Sequence, residues 1–165
     1  MEPKELIKGK RILIVDDEQD VLDTLADLLD ECKIDTATSY EAARTLLESD
    51  TYDLVILDIM GVSGFDLLDI ATQRNIPAMM LTAHGFSEES LKKSAEKEAC
   101  CYIPKEKMGE IEVFVADVIE AVDKGKNTWI KCFERLGSFY DKKFGGKDWR
   151  EKEKAFWEKH TKGYL

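Results

Sequence analysis

Three aspartates carry the first chemical signal in this chain. Asp16 and Asp17, with Glu18 behind them, follow the apolar run Arg11-Ile-Leu-Ile-Val15, and Asp58 follows Leu54-Val-Ile-Leu57. If the two runs are neighbouring strands, Asp16, Asp17 and Asp58 converge at their ends. Carboxylates packed together repel, and their pKa values climb unless a cation holds them, so a hard, oxygen-seeking divalent ion is the natural occupant. Mg2+ suits such a site, being small, octahedral and accustomed to keeping waters beside one or two carboxylates and a phosphate. Two further residues complete a phosphate pocket. Thr82 closes the run Pro77-Ala-Met-Met-Leu81, with Ala83 next to it, and Lys105 follows Cys100-Cys-Tyr-Ile-Pro104. A carboxylate that attacks a phosphoryl donor requires metal charge on the equatorial oxygens, a cation opposite and a small hydrogen-bond donor, and this set offers each.

Taken singly, an aspartate after a strand is a common turn or cap, a threonine there is ordinary and a lone lysine is solvated. Their order, each at the end of a strand in a repeated unit, points to a joint site.

The elements that must position them alternate. Short apolar or β-branched runs at Arg11–Val15, Ile34–Thr38, Leu54–Leu57, Pro77–Leu81 and Cys100–Ile103 read as strands. Helical stripes fall between them: Val21, Leu22, Leu25, Leu28 and Leu29, then Ala42, Ala43, Leu46 and Leu47, then Phe65, Leu68 and Ala71 in a helix opening near Gly64. A fourth helix near Ser87–Lys97 has only Leu91 and Ala95 as anchors, with Glu88–Lys92 and Glu89–Lys93 at i,i+4 spacing. The fifth carries Ile111, Phe114, Val115, Val118, Ile119 and Val122 and ends near Gly125. Five βα repeats imply an α/β fold with a parallel sheet and helices on both faces, in which ligands gather beyond the carboxyl ends of the strands.

Composition agrees with a soluble globular chain: 165 residues, 44% hydrophobic and 35% charged. No apolar run approaches the roughly 20 residues of a membrane span, and the start lacks the apolar segment of a signal peptide, so the expected location is the cytoplasm with no membrane partner. Cys32, Cys100, Cys101 and Cys132 show no CxxC spacing and read as reduced packing thiols. Net charge is −10, divided into −15 for residues 1–125 and +5 for residues 126–165. Such asymmetry gives the tail a role of its own.

The motifs ILIVDDE, VILDIM, MMLTAH and CYIPK together resemble the response regulator receiver family of two-component signalling, over about residues 9–125. That resemblance implies a flavodoxin-like doubly wound sheet of strand order 2-1-3-4-5 and a phosphoacceptor at Asp58. It implies Mg2+ held by Asp17, Asp58 and the backbone carbonyl of Met60, with Asp16 acting through water. Thr82, Lys105 and the Ala83 backbone would contact the phosphoryl group, and Thr82 and Tyr102 would form the switch. The implied partners are a sensor histidine kinase or phosphotransfer protein and a downstream protein target; nucleic acid is not expected, and protein docking or homodimerisation stands as an alternative role for the tail. The chain would be a signalling switch, not an enzyme. It departs from the family in two places: the loop from Asp58 to Gly64 is two residues shorter and lacks proline, and Glu106 stands where proline usually follows the lysine.

Residues 126–165 hold nine of the fifteen aromatic residues, including Trp129, Trp149 and Trp157. Trp129, Phe133, Leu136 and Tyr140 share a helical face, Gly145-Gly146 interrupts, and Asp148-Trp-Arg-Glu151 reads as a capping box for a second helix through Phe156 and Trp157. A helical hairpin packed on the receiver is the expected arrangement, with no recognisable output domain. The rival readings are a nucleic-acid-binding regulator acting through the tail, a constitutive adaptor, and an aspartyl phosphohydrolase. Met60 stands where the last would place an acid.

Overall fold

A computed structural model describes residues 1–163; Tyr164 and Leu165, the end of the expected extension, lie outside the described residues. The elements are α1 (Pro3–Ile7), β1 (Arg11–Val15), α2 (Gln19–Leu28), β2 (Lys33–Ala37), α3 (Tyr40–Ser49), β3 (Leu54–Asp58), α4 (Gly64–Gln73), β4 (Ala78–Thr82), α5 (Glu88–Glu96) and β5 (Cys101–Pro104). A 3-10 turn at Lys105–Glu110 leads to α6 (Ile111–Asp123), followed by α7 (Thr128–Lys143), α8 (Asp148–Lys152) and α9 (Lys154–His160). No helix among the described residues is long and apolar enough to cross a membrane.

All strand pairs are parallel, in the order β2-β1-β3-β4-β5, as expected for the flavodoxin-like class. The chain switches direction across the sheet between β1 and β3, so Val15 pairs with Leu57 and their following aspartates are brought side by side. Every residue of β3 and β4 is buried, which is why both strands are apolar up to their last residues, Asp58 and Thr82, instead of alternating. The edge strand β2 is only partly covered. The opposite edge strand, β5, is buried throughout because the C-terminal helices close over it.

That closure is aromatic. Trp129, Phe133, Leu136 and Tyr140 of α7 are buried, as expected, together with Trp149 and Trp157. Asn127 caps α7, its side chain accepting from the Trp129 and Ile130 amides. The Trp129 indole N–H donates to the Ala99 carbonyl at 2.8 Å, and the Tyr140 hydroxyl donates to the carbonyl of Tyr102 in β5. All three tryptophans are thus interior residues with no free face for stacking bases.

Five details differ from expectation. Ala42, expected in the stripe of α3, is exposed, and of that stripe the helix buries Ala43 and Leu47. Val122 ends its stripe 42% exposed while Ala121 is buried, because the apolar face rotates away from the core at the last turn of α6. Lys92 reaches Glu153 of the tail at 3.2 Å and Lys93 lies 4.5 Å from the centre of the Phe65 ring; the expected pairs with Glu88 and Glu89 give way to these tertiary partners. The second tail helix is two, broken at Glu153, and Asp148 sits inside the first turn behind Lys147, without a side-chain cap. Finally, α1 precedes the expected start at residue 9, burying Ile7 against the core near α6.

Candidate functional site

The carboxyl ends of β1 and β3 place Asp16 and Asp58 in the protein interior, 0% and 5% exposed. Lys105, which follows β5, reaches both: its Nζ lies 2.8 Å from Asp16 Oδ2, 3.6 Å from Asp58 Oδ1 and 3.3 Å from Glu18 Oε1. The Glu18 amide donates to Asp16 Oδ1 at 2.9 Å, which holds that carboxylate in place. The contact of Asp16 Oδ2 with Lys105 lacks hydrogen-bond geometry, leaving Oδ2 as the buried side-chain atom without a hydrogen bond among the described residues.

The electrostatics follow from burial. Desolvation, reinforced by the neighbouring Asp16 charge and opposed by Lys105, pushes the Asp58 carboxyl up to about 7. Burial disfavours the charged form of Lys105, but Asp16 and Asp58 outweigh it and hold its pKa above the ordinary lysine value. Asp16, Asp17 and Glu18 bring carboxylate oxygens within 4.8 Å of one another. Glu18 therefore joins the acidic cluster, which the strand-end reading quoted in its motif without giving it a role. Asp58 lies outside that tight group and is tied to it through Lys105.

The short loop after Asp58 is set by two glycines. Gly61 has φ +85°, and a Cβ there would lie 2.5 Å from Asp17 Oδ2. At Gly64 a Cβ would lie 2.1 Å from the Asp58 carbonyl oxygen, a backbone contact that no rotamer change relieves. With Ser63 in the left-handed region, α4 still opens at Gly64 despite the shortening. Gly64→Ala is expected to destabilise the fold by about 3 kcal/mol or more, read from the urea unfolding midpoint. Met60 is 53% exposed and its thioether would lie 3.6 Å from a Cβ at Gly85, so it reaches toward the β4–α5 loop across the mouth of the site.

Thr82 is fully buried, and its hydroxyl donates to the carbonyl of His84. Thr82, Ala83 and Lys105 line one open cleft of about 800 Å3. Tyr102 points inward and is fully buried; its hydroxyl accepts from the Ser87 amide at 3.0 Å, and its ring stacks on Phe86 at 5.2 Å.

The family model described as the response regulator receiver domain matches residues 12–116. The chain belongs to the response regulator receiver family. It is 35% identical over 103 residues to the two-component response regulator ARR18 of Arabidopsis thaliana, covering 59% of this chain and 16% of that one. With the regulatory protein VanRB of Enterococcus faecalis it shares 35% over 100 residues, 58% of this chain and 45% of the other. This receiver chain thus spans less than half the length of either relative. The CheY-like receiver domain protein from Methanospirillum hungatei shares its fold, with a TM-score of 0.65 at 24% identity, covering 72% of this chain and 99% of that one. NtrX from Brucella abortus superposes with a TM-score of 0.62 at 28% identity, covering 71% and 28%.

The receiver's acidic cluster fits a divalent cation on its own chemistry. Adjacent carboxylates of Asp16, Asp17 and Glu18 meet, and the Asp17 carboxylate packs where Gly61 leaves no side chain.

Proposed function

We propose that this receiver accepts a phosphoryl group on Asp58 from a sensor histidine kinase or phosphotransfer protein, in a Mg2+-dependent reaction, and so alters a surface read by a protein target. Residues 9–125 would form the receiver and 126–165 a helical extension. The observation that carries this reading is the Lys105 ammonium between the buried carboxylates of Asp16 and Asp58, at the strand ends that also present Thr82.

In the transfer, an Asp58 carboxylate oxygen forms the bond to phosphorus while the bond from phosphorus to the donor breaks. The electron pair leaves with the donor's imidazole nitrogen or acetyl oxygen. Asp16, Asp17, Asp58 and the Met60 carbonyl would hold the cation, which supplies positive charge to the phosphoryl oxygens. Lys105 offers a charge-assisted hydrogen bond to the same group, and burial excludes competing water. The Thr82 hydroxyl, now on the His84 carbonyl, and the Ala83 amide would take the remaining phosphoryl oxygens, with Tyr102 following Thr82 as the switch.

Incubation with acetyl phosphate tests this. We expect one added phosphoryl group in the intact mass when Mg2+ is present, no addition with a chelator, and removal by mild alkali as for an acyl phosphate. Steady turnover of a phosphomonoester would instead favour the phosphohydrolase reading, and no addition under any condition would favour the adaptor.

A further inference from the structure

The cleft in front of Thr82 and Lys105 is shared with the C-terminal extension: Lys143, Phe144 and Gly145 line it as well. At about 800 Å3 it has room for more than a phosphoryl group, since a water occupies about 30 Å3 of liquid. Its two lysines differ in how they are engaged. Lys105 is held by the carboxylates of the site, whereas Lys143 pairs with Glu106 at 3.4 Å. That pair is half in solvent, with side chains 46% and 58% exposed, so it contributes little and exchanges readily for a more strongly charged partner.

The backbone beside Lys143 is nevertheless fixed. Phe144 stacks on Phe86 at 5.3 Å, Phe86 stacks on Tyr102, and the Lys143 ammonium lies 5.5 Å from the centre of the Phe139 ring. A cation is thus presented to the cleft on an anchored helix end while keeping a replaceable counter-charge.

We propose that Lys143 is a specificity-determining cation of this cleft, taking the phosphate dianion of a small phosphodonor such as acetyl phosphate before transfer. The inference rests on the reading of Asp58 as phosphoacceptor. In the step it serves, Asp58 gains the bond to phosphorus, the bond from phosphorus to the acetyl oxygen breaks, and acetate departs with the electron pair. Lys143 forms no covalent bond; it raises the occupancy of the cleft by the donor.

The test is the second-order constant for phosphorylation of the full chain by acetyl phosphate with Mg2+, for wild type, Lys143→Gln and Lys143→Arg. At low ionic strength Lys143→Gln is expected to lower the constant about three- to tenfold, while Lys143→Arg stays within about twofold of wild type. At about 0.5 M salt the difference is expected to shrink to within about twofold, because a charge at the cleft is screened and a packing defect is not. Equal constants in wild type and Lys143→Gln overturn the inference while leaving Asp58 in its role. So does a loss that persists at high salt or is shared by Lys143→Arg. A wild type that takes up no phosphoryl group overturns the reading of Asp58 and this inference with it.

Discussion

Asp58→Asn is expected to accept no phosphoryl group and, in the absence of divalent cation, to be more stable than wild type at neutral pH. The second effect follows from linkage. The Asp58 carboxyl titrates near 3.8 in an unfolded chain and at about 7 in the fold, where burial and Asp16 disfavour its charge. Below 3.8 both states hold the proton and nothing is lost. Between 3.8 and about 7 only the unfolded state gives it up, so stability falls as pH rises through that window, and the loss is complete above it. Discounted for water that reaches the site, the penalty is about 1–3 kcal/mol. Asparagine carries no such charge. Chemical denaturation of both forms from pH 4 to pH 8 should therefore show their stabilities diverging toward neutral pH, and added Mg2+ should close the gap. A gap that is unchanged across that range would contradict the electrostatic account.

Trp129→Ala is expected to lower the unfolding free energy by about 3–5 kcal/mol. The indole is buried between Phe133 and Trp157, and its N–H bond to the Ala99 carbonyl anchors the start of α7 to the segment leading into β5. Removing it opens a cavity and leaves that buried carbonyl without its indole donor. Because small domains are stable by only about 5–15 kcal/mol, this is a large share of the whole. Trp129→Phe, which keeps the ring volume in part but not the donor, should fall between the two. A loss below about 1 kcal/mol in Trp129→Ala, measured by urea titration, would mean that the extension does not hold the β5 edge closed in solution.

The central strands were legible because burial on both faces makes them apolar up to their final residues, and β3 and β4 need no tertiary information to be seen. The strand order came with the resemblance, since parallel pairing itself leaves no mark on a single run. Asp16, Asp58 and Lys105 were legible only jointly: each stands at the carboxyl end of a buried strand in one repeated unit, where side chains from neighbouring strands meet. Thr82 ends β4, at the rim where its run put it, but its hydroxyl bond to the His84 carbonyl is a local contact that spacing does not encode. Helix α1 escaped notice because five residues are too few to show a period, and it packs against α6, a helix distant in sequence. The break between α8 and α9 was hidden by favourable helix residues on both sides of Glu153. Burial of the β5 edge could not be read from β5 at all; the signal lay in the tail's aromatic residues, which had to be covered by something. The same burial weakens the reading of those rings as a nucleic-acid platform.

The shortened loop shows both sides of this. Helix α4 was expected to open near Gly64, and the close approach of the Asp58 carbonyl explains why a side chain is excluded there. The left-handed Ser63 before it was not visible, because serine carries no signature for that conformation.

The central claim is that phosphorus becomes attached to the carboxylate at the end of β3. Borohydride reduction of the chain after treatment with acetyl phosphate and Mg2+, followed by peptide mapping, addresses it directly, because an acyl phosphate on aspartate is reduced to homoserine. The account requires homoserine at position 58 alone. Homoserine at 16 or 17, or a phosphorylated chain with intact Asp58, would contradict it.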